Sequence, residues 1–201
     1  VTGAGSAGGI GMAIARALAA GGAKVAITAT SARIHDRAAE LGCMAHIADL
    51  TDPSQVAGLF AAVKAALGPV EILVNNAGMV QTGKDVDRAP LDGWSDQAWA
   101  HHMALNINTT FHCCRAALPG MAARGFGRIV NISSVTGPLV TIDGSSAYAT
   151  AKAERIRAES RWRQAQGLRG SGLQAAAGED PMIKTLQESR AKLMLEYQDK
   201  L

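Results

Sequence analysis

Tyr148 and Lys152 stand four positions apart in the run SSAYATAK, residues 145–152. On a helix, positions i and i+4 share a face. A phenol and an ammonium could therefore point together into a site, or lie side by side in water. The chemistry open to such a pair is proton transfer. A free tyrosine ionises only at about pH 10, too high for easy exchange at neutral pH, and a nearby ammonium stabilises tyrosinate. Reduction of a carbonyl needs a hydride on carbon and a proton on oxygen, and a dinucleotide can bring the hydride. Ser134, at the end of GRIVNISS, could hydrogen-bond the substrate oxygen and steady developing charge. Its plainer role is a strand-end hydroxyl bonded to backbone.

A second group of residues suits phosphate. In VTGAGSAGGIG, Gly3, Gly9 and Gly11 stand where a chain leaving a strand must turn sharply and let a diphosphate approach. The helix that follows would offer free N–H groups and the positive end of its dipole. Nucleotide preference turns on the end of the second strand, where NAD-binding chains carry an acid for the ribose hydroxyls. Here the stretch is TATSAR, with no acid before Asp36. Thr30 and Ser31 could donate to a 2′-phosphate and Arg33 could add charge. NADP is favoured, NAD stays open, and both polar residues could instead cap the next helix.

These residues must be held by regular elements, and the chain alternates them. Val1 reads as the end of a strand begun earlier. A helix with Ile10, Ile14 and Leu18 at helical spacing follows and stops at Gly21-Gly22. KVAIT is a strand, residues 34–41 a helix, MAHIAD a strand. Pro53 opens a helix to Leu67, capped by Thr51 or Asp52. VEILVNNAG is a fourth strand entering a polar turn, and 81–93 is loop. Residues 95–123 read as one long helix interrupted near Pro119. GRIVNISS is a fifth strand, and the helix of Tyr148 follows. Such alternation, with near-continuous apolar strands, predicts an α/β fold: a doubly wound parallel sheet with helices on both faces.

Composition agrees with one domain spanning the 201 residues. Hydrophobic residues are 48% and charged ones 18%, a globular balance. Aromatics are only 4%, so the core must be aliphatic, with close backbone approach at some of the 22 glycines. A net charge of +3 without a basic tract through residue 150 argues against nucleic acid or an anionic membrane surface as partner. The Arg-rich run at 155–164 is the exception. Three cysteines, Cys43, Cys113 and Cys114, suggest a reducing, cytoplasmic setting. His101, His102 and His112 lie near two of them, yet no compact metal-ligand spacing emerges. No apolar run has the length of a membrane span, and no signal peptide precedes the first motif.

Thr2-Gly3 with Gly9-Ile10-Gly11, then Asn75-Asn76-Ala77-Gly78, Ser134 and Tyr148-Ala-Thr-Ala-Lys152 resemble, in this order, the short-chain dehydrogenase/reductase family. The general run of the chain looks most like its 3-oxoacyl-(acyl-carrier-protein) reductase branch. The resemblance covers residues 1 to about 153. It implies a Rossmann-like fold and an NADP(H)-preferring enzyme that interconverts a ketone and a secondary alcohol. It also implies a small carbonyl or alcohol as substrate, and a homotetramer built partly on the long helix and the Tyr148 helix. By the same likeness Gly3, Ser6, Gly9, Ile10, Gly11, Thr30 and Ser31 would face the cofactor. Asp49 and Leu50 would lie against the adenine. Asn76, Ala77 and Gly78 would form the turn beside the cofactor. Asn106, in LNINTTF, would hold the water of a proton relay; its plainer role is a helix-kink side chain satisfying a carbonyl. Ser134, Tyr148 and Lys152 would complete the catalytic set, the last two also touching the cofactor.

Two features depart from that pattern. The first turn carries two extra residues among Gly5–Gly8. After Ala153 the stretch 154–180 puts charges where the family buries an apolar face, and no apolar strand or Pro-Gly turn follows. Burying Arg155, Arg157 or Arg161 unpaired would cost several kcal/mol each. DPMIKTLQESRAKLMLEYQDKL, residues 180–201, then resembles the family's mobile substrate-covering helix, and the family's last strand would lie beyond it. The disrupted segment motivates a rival reading, a catalytically silent nucleotide-binding or scaffold protein. An epimerase or dehydratase of the extended branch shares Tyr-x-x-x-Lys, but the Asn-Asn-Ala-Gly turn argues against it.

Overall fold

The computed structural model describes residues 1–78, 88–136, 139 and 142–153. Loop residues 79–87, the atypical stretch 154–180 and the substrate-covering helix expected after it lie outside the described residues. Contacts divide the chain into two units, Val1–Arg157 and Ala158–Leu201.

The elements alternate as the periodicity predicts. They are α1 (Ile10–Ala20), β1 (Ala26–Ala29), α2 (Arg33–Leu41), β2 (Met44–Ile47), α3 (Pro53–Leu67), β3 (Ile72–Asn75), α4 (Asp96–Met103), α5 (Thr109–Arg124) and β4 (Arg128–Asn131). A short 3₁₀ turn, Leu91–Gly93, precedes α4, and residues 146–153 are helical and are called α6. Asp52 caps α3, its Oδ1 accepting from Ser54 N at 2.8 Å, and Pro53 occupies the first turn. The Ser54 hydroxyl, then Gln55, hold the Asp52 carboxyl below its usual range.

β1 pairs parallel with β2, and β3 pairs parallel with β4. The chain start joins the two pairs. Thr2 bridges Thr28 in parallel, and its N–H donates to Val74 O at 3.0 Å. The order across the sheet is therefore β2, β1, residues 1–4, β3, β4. The first strand runs outward to β1 and β2, then the chain crosses back to β3 and β4. That reversal is the switch point of a doubly wound, Rossmann-like α/β sheet.

Each face has its own core. Ile27 packs with Ile34, Ala15 and Ala38, under α1 and α2. Leu73 packs with Val56, Leu59, Cys113, Ala117 and Met121, under α3 and α5. Ile27 and Ile34 are fully buried, each worth about 1.5–3 kcal/mol against exposure.

Two expectations need correction. α1 fully buries Gly11, Met12 and Ala15; of the three residues at helical spacing, Leu18 packs partly buried against the core, Ile14 is half-buried and Ile10 is exposed. Gly11 lets the helix start approach the sheet so closely that Ile10 is left 62% exposed. The long helix also breaks elsewhere. Pro119 lies inside α5 without ending it, because the carbonyl it releases belongs to exposed Arg115, where water can satisfy it. The interruption is a π turn at Ala104–Asn108. Asn106 Nδ2 donates to His102 O at 3.0 Å, and Thr109 Oγ1 to Leu105 O at 2.9 Å. These side chains take up carbonyls that the wide turn loosens.

A Cβ on Gly11 would meet Asn76 Nδ2 and Gly3 O at 2.6 Å, whereas one on Gly8 would meet nothing within 4 Å. Gly11→Ala should destabilise the protein by about 1–3 kcal/mol and Gly8→Ala should be near neutral. Chemical denaturation of both variants checks this, and equal midpoints would contradict it.

Candidate active site

A parallel sheet brings the carboxyl ends of its strands to one edge, and the singled-out residues follow those ends. Gly3 leaves the first strand, Thr30 follows β1, Asp49 follows β2, Asn76 follows β3 and Ser134 follows β4. Ligands of open α/β sheets bind outside this edge at the switch point.

The junction there is stitched by one hydroxyl. Thr2 Oγ1, buried, accepts from Asn76 N and Ala77 N at 3.0 Å each and donates to Val74 O at 3.3 Å. Asn76 Nδ2 returns two bonds, to Thr2 O at 3.0 Å and Gly3 O at 3.1 Å. A Cβ on Gly3 would sit 2.8 Å from Ala77 Cα. Gly3 has φ +69° and Gly78 φ +141°. The first glycine turn and the 76–78 turn are therefore in contact across the switch point. Beside them α1 begins at Gly9 with no side-chain cap, so its first N–H groups are open to an anion. Ser6 O accepts from Gly9 N at 3.1 Å, closing the turn that carries the two extra residues. Arg16 steadies that turn: its guanidinium donates to Ala7 O and to Glu40 on α2, both at 3.3 Å.

At the end of β1, Arg33 Nε donates to Ser31 Oγ at 3.4 Å, and Thr30 is exposed. The N-cap of α2 is Ala32, with no side-chain bond, and Ile34 N donates to Ser31 O at 3.2 Å. After β2, Asp49 Oδ1 accepts from Thr51 N at 2.9 Å and Thr51 Oγ1 at 2.7 Å, while exposed Asp49 remains at the sheet edge. The Leu50 side chain is in the core, so only its backbone faces the edge, and its carbonyl meets His112 Nδ1 at 3.0 Å.

Tyr148 and Lys152 do share one face of α6. The Lys152 Nζ lies 5.4 Å from the Tyr148 ring centroid and donates to Ile132 O at 3.4 Å. Lys152 is only 3% exposed, a depth at which an ammonium has to be partnered. Ser133 Oγ donates to Lys152 O at 3.0 Å, tying α6 to the end of β4. Ser134 Oγ accepts from Thr136 N at 3.1 Å, which leaves its own proton to donate. Asn106 sits on the π turn, 2% exposed, with Oδ1 buried and without a partner among the described residues.

Sequence reasoning missed two contributors. Ser133, next to the favoured serine, is the one that ties the Lys152 helix. Asn75 donates to Asn131 Oδ1 at 2.8 Å and Cys114 Sγ at 3.3 Å, bracing β3 against β4 and α5. The π turn matches the plainer reading of Asn106, a kink side chain that satisfies a carbonyl. No three His, Cys, Asp or Glu gather among the described residues, and none of the described helices is long and apolar enough to cross a membrane.

The geometry tests well against a dinucleotide. An uncapped helix start, an exposed isoleucine beside it and a close glycine turn lie together at the switch point. The comparisons agree. The model of short chain dehydrogenases matches residues 1–164. A D-beta-hydroxybutyrate dehydrogenase of Rhizobium meliloti is 39% identical over 74% of this chain and 58% of its own length. The oxidoreductase UcpA of Escherichia coli is 40% identical over 72% of this chain and 55% of its own. A crystal structure titled "putative betaketoacyl-ACP reductase" superposes with TM-score 0.73 at 35% identity, covering 85% of this chain and 67% of that one. The chain thus spans little more than half the length of the curated relatives it matches.

Thr2→Val keeps the shape but strands two N–H groups. It should cost about 2 kcal/mol, a fall of about 4–8 °C in Tm, while Thr2→Ser should be tolerated. Thermal unfolding decides; a Val variant as stable as the parent would refute the junction's importance.

Proposed function

The chain belongs to the short-chain dehydrogenase/reductase family, and on that premise we propose that it is an NADP(H)-preferring oxidoreductase interconverting a ketone and a secondary alcohol. The observation that carries the reading is the buried Lys152 ammonium against the Tyr148 ring, on a helix tied to the β4 end beside Ser134. Gly3, Ser6, Gly9, Ile10 and Gly11 would hold the diphosphate side of the cofactor, with Asn76, Ala77 and Gly78 facing it across the junction. Asp49 and the Leu50 backbone would meet the adenine. Thr30 and Ser31, with Arg33, would receive a 2′-phosphate. The nicotinamide supplies or accepts the hydride when bound.

The chain's own residues handle the proton and the oxygen. Tyr148 gives a proton to the carbonyl oxygen in reduction and takes it back in oxidation. Ser134 donates to that oxygen and stabilises its developing charge. Lys152 holds positive charge beside the phenol and reaches for the ribose. Asn106 holds the relay water on its orphaned Oδ1. Two relatives carry names that place the oxygen on a β carbon, D-beta-hydroxybutyrate and betaketoacyl. This supports β-keto acids and 3-oxoacyl thioesters as the substrate class. The assembly we assign is a cytoplasmic homotetramer of single-domain chains, which exposed Phe111 on α5 supports as a contact residue.

NADPH oxidation with a panel of β-keto esters and thioesters tests the activity. Tyr148→Phe should lower kcat by at least about 100-fold with NADPH affinity nearly intact; an active Phe variant refutes the assigned acid. NADPH should bind roughly tenfold tighter than NADH, the scale of one charge-assisted contact, and Arg33→Ala should narrow the gap. Calorimetry showing tighter NADH overturns the preference.

A further inference from the structure

Ala89 is held at both of its backbone polar groups. Its N–H donates to Gly144 O at 3.2 Å, and its carbonyl accepts from Trp94 Nε1 at 2.9 Å. Gly144 lies four residues before Tyr148. It has φ +72°, and a Cβ there would stand 3.1 Å from Arg88 Cβ and 3.3 Å from Ala89 N. Both its conformation and the close approach demand glycine. The segment from Arg88 and the segment entering α6 are therefore built to touch.

Trp94 links this contact to a third element. Its ring stands edge-on to the His102 ring, centroids 4.9 Å apart and planes at 86°, a favourable aromatic geometry. His102 is buried, and its carbonyl accepts from Asn106 Nδ2 at 3.0 Å. The connection thus runs from the approach to Tyr148, through Ala89, to Trp94, His102 and Asn106. The segments it joins reach the catalytic helix on one side and the π turn on the other. Neither lies among the glycine turns assigned to the diphosphate.

We propose that Trp94 is a positioning residue that clamps the 88–90 segment against the entry to α6 and against the Asn106 turn, and so fixes the substrate side of the site. The inference rests on the oxidoreductase reading above. Its indole N–H sets the position of Ala89, and its ring sets the position of His102. The two functions separate by substitution. Trp94→Phe removes the N–H and keeps a ring against His102. Trp94→Ala removes both.

The test combines steady-state kinetics on a reduced β-keto ester, NADPH calorimetry and amide hydrogen exchange at Ala89. Trp94→Phe should raise KM for the carbonyl about fivefold, the scale of one neutral hydrogen bond. Its kcat and NADPH affinity should stay within about twofold, and exchange at Ala89 should accelerate. Trp94→Ala should lower kcat as well, since the Asn106 turn loses its support. Weakened NADPH affinity together with a raised KM in the Phe variant would mean general structural damage and overturn the clamp. Unchanged KM with unchanged Ala89 exchange would overturn it too. If the parent protein reduces no carbonyl, the oxidoreductase reading fails, and Ala89 exchange alone then decides the clamp: acceleration in Trp94→Phe supports it, parity refutes it.

Discussion

The site depends on one buried hydroxyl at the sheet's point of reversal. Thr2 Oγ1 uses its full capacity, accepting from Asn76 N and Ala77 N and donating to Val74 O. A parallel sheet whose order reverses has a crevice there by construction, since the following helices leave on opposite faces. Nothing in that topology sets how wide the crevice is. The three bonds, with the Asn76 amide reaching back to Thr2 O and Gly3 O, fix the spacing of the two turns that form its floor. Gly3 and Gly11 are then glycines because the junction leaves no room for a Cβ.

The other half of the site is held by helices. Lys152 is buried beside the β4 end, and Ser133 anchors its carbonyl. Asn106 stands on a turn wound more loosely than its neighbours. That turn spends the Asn106 N–H on a backbone carbonyl and leaves the oxygen unspent. A buried amide oxygen without a partner is costly in a core, and π turns of this kind concentrate at functional places. The local defect and the chemistry assigned to Asn106 are the same feature.

Much of this was legible in residue order. Strand–turn–helix periodicity gave the α/β alternation, and Asp52-Pro53 and Leu67 marked both ends of α3. Glycine spacing located the first turn, and the four-residue interval put Tyr148 over Lys152. The failures share a cause: they depend on packing distance, which sequence does not carry. Ile10 reads as a core residue until Gly11 brings the backbone so close that the stripe rotates. Pro119 reads as a break, yet α5 carries it, the residue whose carbonyl it frees being exposed Arg115. The π turn shows only in the side-chain bonds of Asn106 and Thr109. Ser133 and Ser134 are indistinguishable by type, and the direction of the chain past β4 separates them: one secures the Lys152 helix, the other keeps a proton to give.

The Arg16 tether has a consequence for handling the protein. Its guanidinium holds the enlarged glycine turn through Ala7 O and is itself held by Glu40, with both side chains substantially exposed. An ion pair in that setting weakens as mobile ions gather, over a screening length of about 8–10 Å at ordinary ionic strength. Dissolved electrolyte therefore reaches the glycine turn without touching it, and the ionic strength of the buffer sets how firmly that turn is held.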